Sequence, residues 1–394
     1  MSLIRCLKTI YPATRYAQSQ LAEHLVGFCR HIAPGWHAAQ RIPEIFANSG
    51  IQHRAFLFDP KRIYEKHLTS TETFPEIVSE MTHLKRQAID ALVAADPLAS
   101  RYEHLVSASS LSVSPSFDIR ALSRQPHNPR AGRTPLSGVG CAGGAMMLAR
   151  AHTFLQQHPE SAVLVSSVEC GSRYWLGTLP TRLRALLQQA TTNGGGCTSN
   201  VTADIWKEII PVCVFGDGAS SALILGSKHP AQPPLRYPSS SFSLPNGPFI
   251  VDSCSLMVSG TLHLAHHTVE ACGFRVIVEK HLKETVLPPA LDIIQHLLKR
   301  NELNQSDIRH WILHPGGPYI LAGVQKALHL SDADVAPCWA SLQEFGNCSS
   351  VSVMNILGRI MSEKQQQHTM GSGYGIVLGI GPGITLEALL LRWE

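Results

Sequence analysis

Three polar side chains in this sequence stand where small or turn-forming neighbours leave them accessible. Cys141 lies in Gly138-Val139-Gly140-Cys141-Ala142-Gly143-Gly144 and is expected to open a helix. A helix N-terminus carries roughly half a positive charge, which favours the thiolate, the nucleophilic form of cysteine. Tight helix packing beside a buried cysteine would account for the same glycines. His314 ends the apolar run Trp311-Ile312-Leu313 and precedes Pro315-Gly316-Gly317-Pro318. Strand ends are where α/β sheets present active residues, although a structural histidine also fits. Asn347 follows Gly346 and precedes Cys348-Ser349-Ser350. Asparagine caps helices well; it is also an amide donor that can face a thioester oxygen. Taken together, a histidine can activate a thiol and an amide can stabilise an oxyanion or enolate. The chemistry they point to is acyl transfer through a thioester.

The elements that must position these residues alternate in type. Apolar spacing predicts helices over about 18–48, where Leu21, Leu25, Phe28 and Ile32 recur, and over 72–94. A strand is expected from Glu103, then a loop over 120–135. Next come a helix from Cys141 to Leu155 and a buried strand at Ala162–Ser167. Residues 176–208 look inserted, with a helical run at Thr181–Ala190 and a flexible Asn193-Gly194-Gly195-Gly196. Strands are expected at Val212–Phe215 and Ala219–Leu225. Beyond a Pro- and Ser-rich connection (227–248), a helix is predicted over 275–299, a strand at Trp311–Leu313, and a helix near Asn347. Closing strands are expected at Gly375–Leu378 and Ile384–Leu391. Strand, helix, strand is the grammar of a layered α/β fold. Gly140-Cys141 and Gly346-Asn347 open helices in a similar way, which hints at a duplication. The expected division is 1–228, carrying the cysteine, and 229–394, carrying the histidine and asparagine.

Composition bounds the rest. The chain has 394 residues, 44% of them hydrophobic, and a net charge of +4. That suffices for a large core and gives no nucleic-acid signature. Its ten cysteines are dispersed, with no C-x-x-C and no metal spacing, so no metal is expected. A reduced chain points to the cytoplasm. No run of 18 apolar residues suggests a membrane span, and the N-terminus lacks the apolar stretch of a signal peptide. The pair His266-His267 reads as surface or packing.

The segments around Cys141, His314 and Asn347, with Phe215-Gly216-Asp217-Gly218-Ala219 and Gly379-Ile380-Gly381-Pro382-Gly383, resemble the type III polyketide synthases, the chalcone synthase-like enzymes. The short Gly-Cys-Ala-Gly-Gly is similar to bacterial members that make alkylresorcinols and alkylpyrones. The resemblance implies a thiolase fold, five αβαβα layers built from two similar halves, in a homodimer with no permanently bound cofactor. It implies that an acyl-CoA starter loads on Cys141, that malonyl-CoA is decarboxylated, and that rounds of condensation give a poly-β-keto chain that cyclises. His314 then matches the thiolate partner and, with Asn347, the enolate stabiliser. Phe215 and Phe274 match gatekeepers of the coenzyme A tunnel. Ser110, Gly171, Tyr174, Gly381, Pro382 and Gly383 are expected around the substrate, and Arg54, Gly316 and Gly317 around coenzyme A.

The chain departs from the family pattern in three places. Arg54 is the clear cation of the stretch 48–54, where a basic cluster for phosphates is expected. Tyr174 places a large ring where small residues often set the cavity volume. Residues 176–208 are longer than usual and read first as a surface insertion, otherwise as a lid or a partner's docking site. Two other readings compete. One is a chain-initiating 3-ketoacyl synthase, which would make a single condensation on carrier-bound malonyl groups. The other is a non-catalytic partner protein of the same fold, against which the intact Cys141, His314 and Asn347 argue.

Overall fold

The computed structural model describes residues 1–65, 69–123, 127–192, 199–232, 247–271, 273–279, 281–367 and 373–394. The first half runs β1 (Ser2–Ile10), β2 (Arg15–Ala17), α1 (Gln18–Ile32), α2 (Ile42–Ala47), β3 (His53–Ala55), α3 (Ser70–Ala95), β4 (His104–Ser109), α4 (Phe117–Leu122), β5 (Gly132–Ser137), α5 (Gly143–Gln157), β6 (Ala162–Cys170), α6 (Thr178–Thr192), α7 (Ser199–Val212) and β7 (Asp217–Leu225). The second runs β8 (Phe249–Met257), β9 (Ala265–Glu270), β10 (Gly273–Val278), α8 (Leu282–Arg300), β11 (Ile308–Leu313), α9 (Pro318–Ala327), α10 (Asp332–Phe345), α11 (Ser350–Gln367), β12 (Gly373–Gly381) and β13 (Thr385–Trp393).

Nine strands form one mixed sheet in the order β11-β12-β13-β8-β1-β7-β6-β4-β5. The seam between the halves is narrow, because β1 meets β8 only at Ser2↔Ile250 and Leu3↔Phe249. We propose the division at 228/229, in the connection between β7 and β8. β6 and β7 are buried at every position, as strands covered on both faces must be. α3 covers one outer face: Ile77, Met81, Leu84, Ala88 and Leu92 form a buried helical stripe against β1, β6 and β7. On the opposite side α8 lies over β8 and β13, and α10 lies on β11. The central layer is the pair α5 and α11, each touching strands of both halves. They approach closely because α5 begins with glycine; a Cβ on Gly144 would lie 2.2 Å from the Ser350 carbonyl oxygen. These are the five layers of the thiolase fold.

Several sequence expectations are corrected. The long first helix is broken at Ala33-Pro34-Gly35, and proline cannot continue a helix interior. The expected loop over 120–135 contains the edge strand β5. Val212–Phe215 is not a strand, since α7 runs to Val212. The helix expected from 275 begins at Leu282; β9 and β10 form a hairpin before it, where β-branched Val276, Ile277 and Val278 favour strand. The insertion is two packed helices. Leu183 and Leu187 of α6, with Ile205 and Ile209 of α7, share a buried cluster with Leu21, Leu25 and Phe28 of α1. Burial on that scale makes the described parts of α6 and α7 part of the core rather than a neutral surface addition. The glycine run Asn193–Gly196 lies outside the described residues.

Candidate active site

Cys141 occupies a single 3-10 turn, Gly140–Ala142, directly before α5. The second half braces this turn. Gly140 has φ +49°, and a side chain there would meet Pro382 Cδ at 2.7 Å. His314 directly follows β11, its backbone N–H donating to the Leu378 carbonyl at 2.9 Å. The residue is 2% exposed, and both ring nitrogens have no hydrogen-bond partner among the described residues. Burial pushes its pKa down to about 3, so the imidazole is neutral near pH 7.

Asn347 sits between α10 and α11, after Gly346 has turned the chain at φ +70°. Its backbone pairs across to the first half: Asn347 N–H donates to Val214 O at 2.8 Å and Gly216 N–H to Asn347 O at 3.0 Å. Phe215 is thereby fixed beside it. The side chain is oriented at both ends. Oδ1 accepts the Ser349 N–H at 2.8 Å, while Nδ2 donates to Gly316 O at 3.3 Å and lies 3.8 Å from Cys141 Sγ. Asn347 lies three residues before α11, and its amide oxygen closes a turn at Ser349 rather than bonding a residue of the helix.

These three side chains line one cavity of about 770 Å³. Of the other expected residues, Ser110, Gly171, Tyr174, Phe215, Gly316, Gly317, Gly381 and Pro382 also line it. Gly171 allows the end of β6 to touch Phe215, whose Cβ would be 2.7 Å from a Cβ on the glycine. Gly383 lies behind, in the turn before β13, with its N–H on Ala265 O. Phe274 borders a smaller pocket of about 40 Å³ instead, with Leu111 and Arg173.

Two chemical expectations change. The Cys141 thiol is not acidified: burial pushes its pKa up to about 11, against the opposing hydrogen bonds of Ser349 and Asn347. Arg54 is fully buried, and two of its three nitrogens are engaged, while Nη2 is buried with no hydrogen-bond partner among the described residues. Nη1 reaches Val212 O at 2.6 Å and Phe215 O at 2.9 Å, and Nε reaches Gln18 Oε1 at 3.0 Å. It holds the loop that carries Phe215 and is not presented to a coenzyme A phosphate.

The sequence reading missed other parts of the wall. Glu169 is 2% exposed and accepts from the Ser110 N–H at 3.1 Å and the Ser350 hydroxyl at 2.6 Å, tying β4, β6 and α11 together beneath the cysteine. Trp206, Lys207 and Ile210 bring α7 into the cavity wall. His267, expected at the surface or in packing, lines the cavity, and burial lowers its pKa to about 4. Arg173 is 6% exposed and lines the cavity beside Tyr174. Its signal in the sequence was a charged residue just past a buried strand. Among the described residues no group of His, Cys, Asp or Glu could hold a metal ion, and no helix is long and apolar enough to cross a membrane.

Residues 251–393 match the family of chalcone and stilbene synthases, C-terminal domain. The whole chain is similar to 1,3,6,8-tetrahydroxynaphthalene synthase of Streptomyces peucetius subsp. caesius, 28% identical over 99% of this chain and 93% of that one. It is also similar to the alpha-pyrone synthesis polyketide synthase-like Pks18 of Mycobacterium tuberculosis (strain CDC 1551 / Oshkosh), 24% identical over 99% and 91%. Among solved structures, CsyB complexed with CoA-SH superimposes with TM-score 0.81 at 19% identity, covering 100% of both chains. A type III pentaketide synthase from Neurospora crassa superimposes with TM-score 0.79, likewise 19% identical over 100% of both chains. The fold, the ordered motifs and these likenesses define a thiolase-fold acyltransferase. Residues 251–393 carry the C-terminal domain of the chalcone and stilbene synthases, and along its whole length the chain is similar to type III polyketide synthases.

Proposed function

We propose that Cys141 holds the starter acyl group and that His314 and Asn347 stabilise the enolate formed from malonyl-CoA. The observation that carries this is the convergence of the three side chains on one cavity, with the Asn347 amide 3.8 Å from the sulfur. In loading, Cys141 sulfur forms a bond to the thioester carbon as the bond to coenzyme A breaks, and the thiol proton leaves on the coenzyme A thiol. The base we assign to this step is the imidazole of His314, which lines the same cavity and whose ring nitrogens have no other partner among the described residues. In extension, the carbon–carbon bond of malonyl-CoA breaks, carbon dioxide leaves, and the electron pair becomes an enolate. N–H donors of His314 and Asn347 lower that barrier in a site that excludes water. The enolate carbon attacks the acyl group, the Cys141 sulfur leaves, and a β-ketoacyl thioester of coenzyme A results.

With Arg54 committed elsewhere, Lys207 of α7 and Lys283 of α8, both on the cavity wall, are the cations we assign to the coenzyme A phosphates. Phe215 and Tyr174, whose rings lie 6.1 Å apart, set the width between that approach and Cys141. The products we expect are pyrones or phenolic rings made from the poly-β-keto chain, in the manner of alkylpyrone and alkylresorcinol synthases. We further propose that the enzyme works as a homodimer without a resident cofactor, in the cytoplasm; every described cysteine is a free thiol. The test incubates purified enzyme with acyl-CoA starters and malonyl-CoA and reads carbon dioxide and products by mass spectrometry. Wild type releases multiply extended cyclic products and Cys141→Ala releases none. A single condensation at every starter length would favour the 3-ketoacyl synthase reading, and normal cyclic products from Cys141→Ala would overturn the assignment of Cys141.

A further inference from the structure

Among the described residues Arg173 is the arginine in the wall of this cavity, beside Tyr174, and its charge has no assigned use. The residue is 6% exposed. Its guanidinium lies over two rings, with Cζ 4.6 Å from the Phe274 centroid and 5.2 Å from the Tyr174 centroid. Those contacts occupy the faces of the group and hold it in place, leaving its N–H edge as the reactive rim. Only Nη2 has contacts, at 3.5 Å to Ser110 Oγ and 3.4 Å to the Tyr174 hydroxyl, both at the outer limit of hydrogen bonding. Nε and Nη1 are buried with no partner among the described residues. Glu169, a carboxylate of the same wall, is taken up by Ser110 and Ser350, and no ion pair within 4.0 Å joins it to Arg173. Burial opposes the charge, but Tyr174, Cys170 and the nearby Glu169 outweigh it and hold the guanidinium's pKa up, so the group stays cationic; its two unpartnered nitrogens would gain short, charge-assisted bonds from an anion.

We propose that Arg173 reads a carboxylate at the far end of the starter acyl group, so that the enzyme prefers ω-carboxyacyl thioesters over neutral starters of the same shape. This rests on Cys141 being the acyl-carrying residue. The carboxylate in question is one that persists. Gripping the carboxylate that malonyl-CoA loses on extension would stabilise the ground state more than the transition state. A starter's terminal carboxylate keeps its charge throughout, so Arg173 can hold it while Cys141 forms the thioester. Tyr174 next to it then shortens the space beyond the carboxylate rather than directing a long alkyl tail.

Succinyl-CoA and 4-methylpentanoyl-CoA test this, because the second replaces the carboxylate with an isopropyl group of the same branching and neither can decarboxylate as malonyl does. Loading is read as the mass increase of the intact protein, with Cys141→Ala as blank. Wild type is expected to load succinyl at least about tenfold faster, the scale of a charged hydrogen bond in a buried site. Arg173→Met reverses the ratio and Arg173→Lys restores part of it. A wild-type ratio at or below one overturns the inference even if Arg173→Met does not fold, and so does a succinyl preference that persists in a folded Arg173→Met. If neither thioester adds mass to wild type, or both add it equally to Cys141→Ala, the reading of Cys141 fails instead, which is a separate outcome.

Discussion

Replacing Arg54 with methionine separates two roles that the sequence could not. Methionine keeps much of the volume between the Phe46 and Phe56 rings, over which the guanidinium sits at 5.7 and 5.1 Å, but it donates nothing. The buried Val212 O and Gln18 amide oxygen and the part-buried Phe215 O then lose their donor. Each buried acceptor left unpaired costs about 1–3 kcal/mol. Relief of the guanidinium's own desolvation, which pushes its pKa down to about 10, offsets part of this. The balance expected for Arg54→Met is a loss of about 3 kcal/mol, close to the lower end for breaking a buried charged network. Urea unfolding followed by tryptophan fluorescence measures it. Because Val214, between the two residues whose carbonyls Arg54 binds, accepts the Asn347 backbone N–H, the same change loosens the amide near Cys141, and kcat is expected to fall. Arg54→Lys keeps the charge but loses the planar fork, so it rescues little. Stability reduced by less than 1 kcal/mol, together with a KM for acyl-CoA that rises only at low salt, would be the behaviour of a phosphate-binding cation and would refute this reasoning.

Two further outcomes follow from packing and burial. Gly144→Ala puts a methyl 2.2 Å from a backbone carbonyl of α11 and 2.4 Å from Val353 Cγ2; the gain of about 1 kcal/mol in helix propensity is outweighed, and thermal unfolding should show a net loss of at least about 1–2 kcal/mol with reduced activity, so an unchanged midpoint would sink the close-packing argument. His152 and His314 have folded pKa values lowered by burial to about 4 and about 3, below the unfolded value of about 6.5; the unfolded chain binds more protons in between, so their contribution is complete above pH 6.5 and is lost as pH falls, on the order of 2 kcal/mol each by pH 5. Urea unfolding at pH 8 and pH 5 measures that loss, and a loss no smaller in His152→Asn would reject His152 as a source.

What could be seen in the sequence was what local pattern encodes. The stripe of α3, the buried run of β6 and the glycine turns before Cys141 and Asn347 are all short-range signals, and each led to the right element. The hairpin β9–β10 was missed because its pairing partner is the neighbouring strand, so period alone could not separate it from the helix that follows. Arg54 was misread because a lone arginine near a polar stretch looks solvent-facing; its partners at Val212 and Phe215 are distant in sequence. The acidified cysteine was a fair inference from a helix start, but the depth of the cavity is a tertiary property, and it reverses the direction of the shift. Arg173 was visible as a letter and invisible as a site, since nothing local says that its N–H groups remain unpaired.

The proposed catalytic residues depend on the docking of the two halves more than on either half alone. Pro382 presses on the turn that carries Cys141. Val214 and Gly216 pair with the backbone of Asn347, and Glu169 binds the hydroxyl of Ser350 at the start of α11. Each contact crosses from one half to the other, while the seam of the sheet itself is two residue pairs wide. The central helices α5 and α11 therefore have to set the distance between Cys141 and Asn347. Small residues along α5 let them do so, because a wider helix spacing would draw the amide away from the sulfur before any hydrogen bond in either half had broken. Substitutions between α5 and α11 should accordingly reduce enolate formation sooner than they reduce the binding of coenzyme A thioesters, whose proposed contacts, Lys207 and Lys283, lie on α7 and α8.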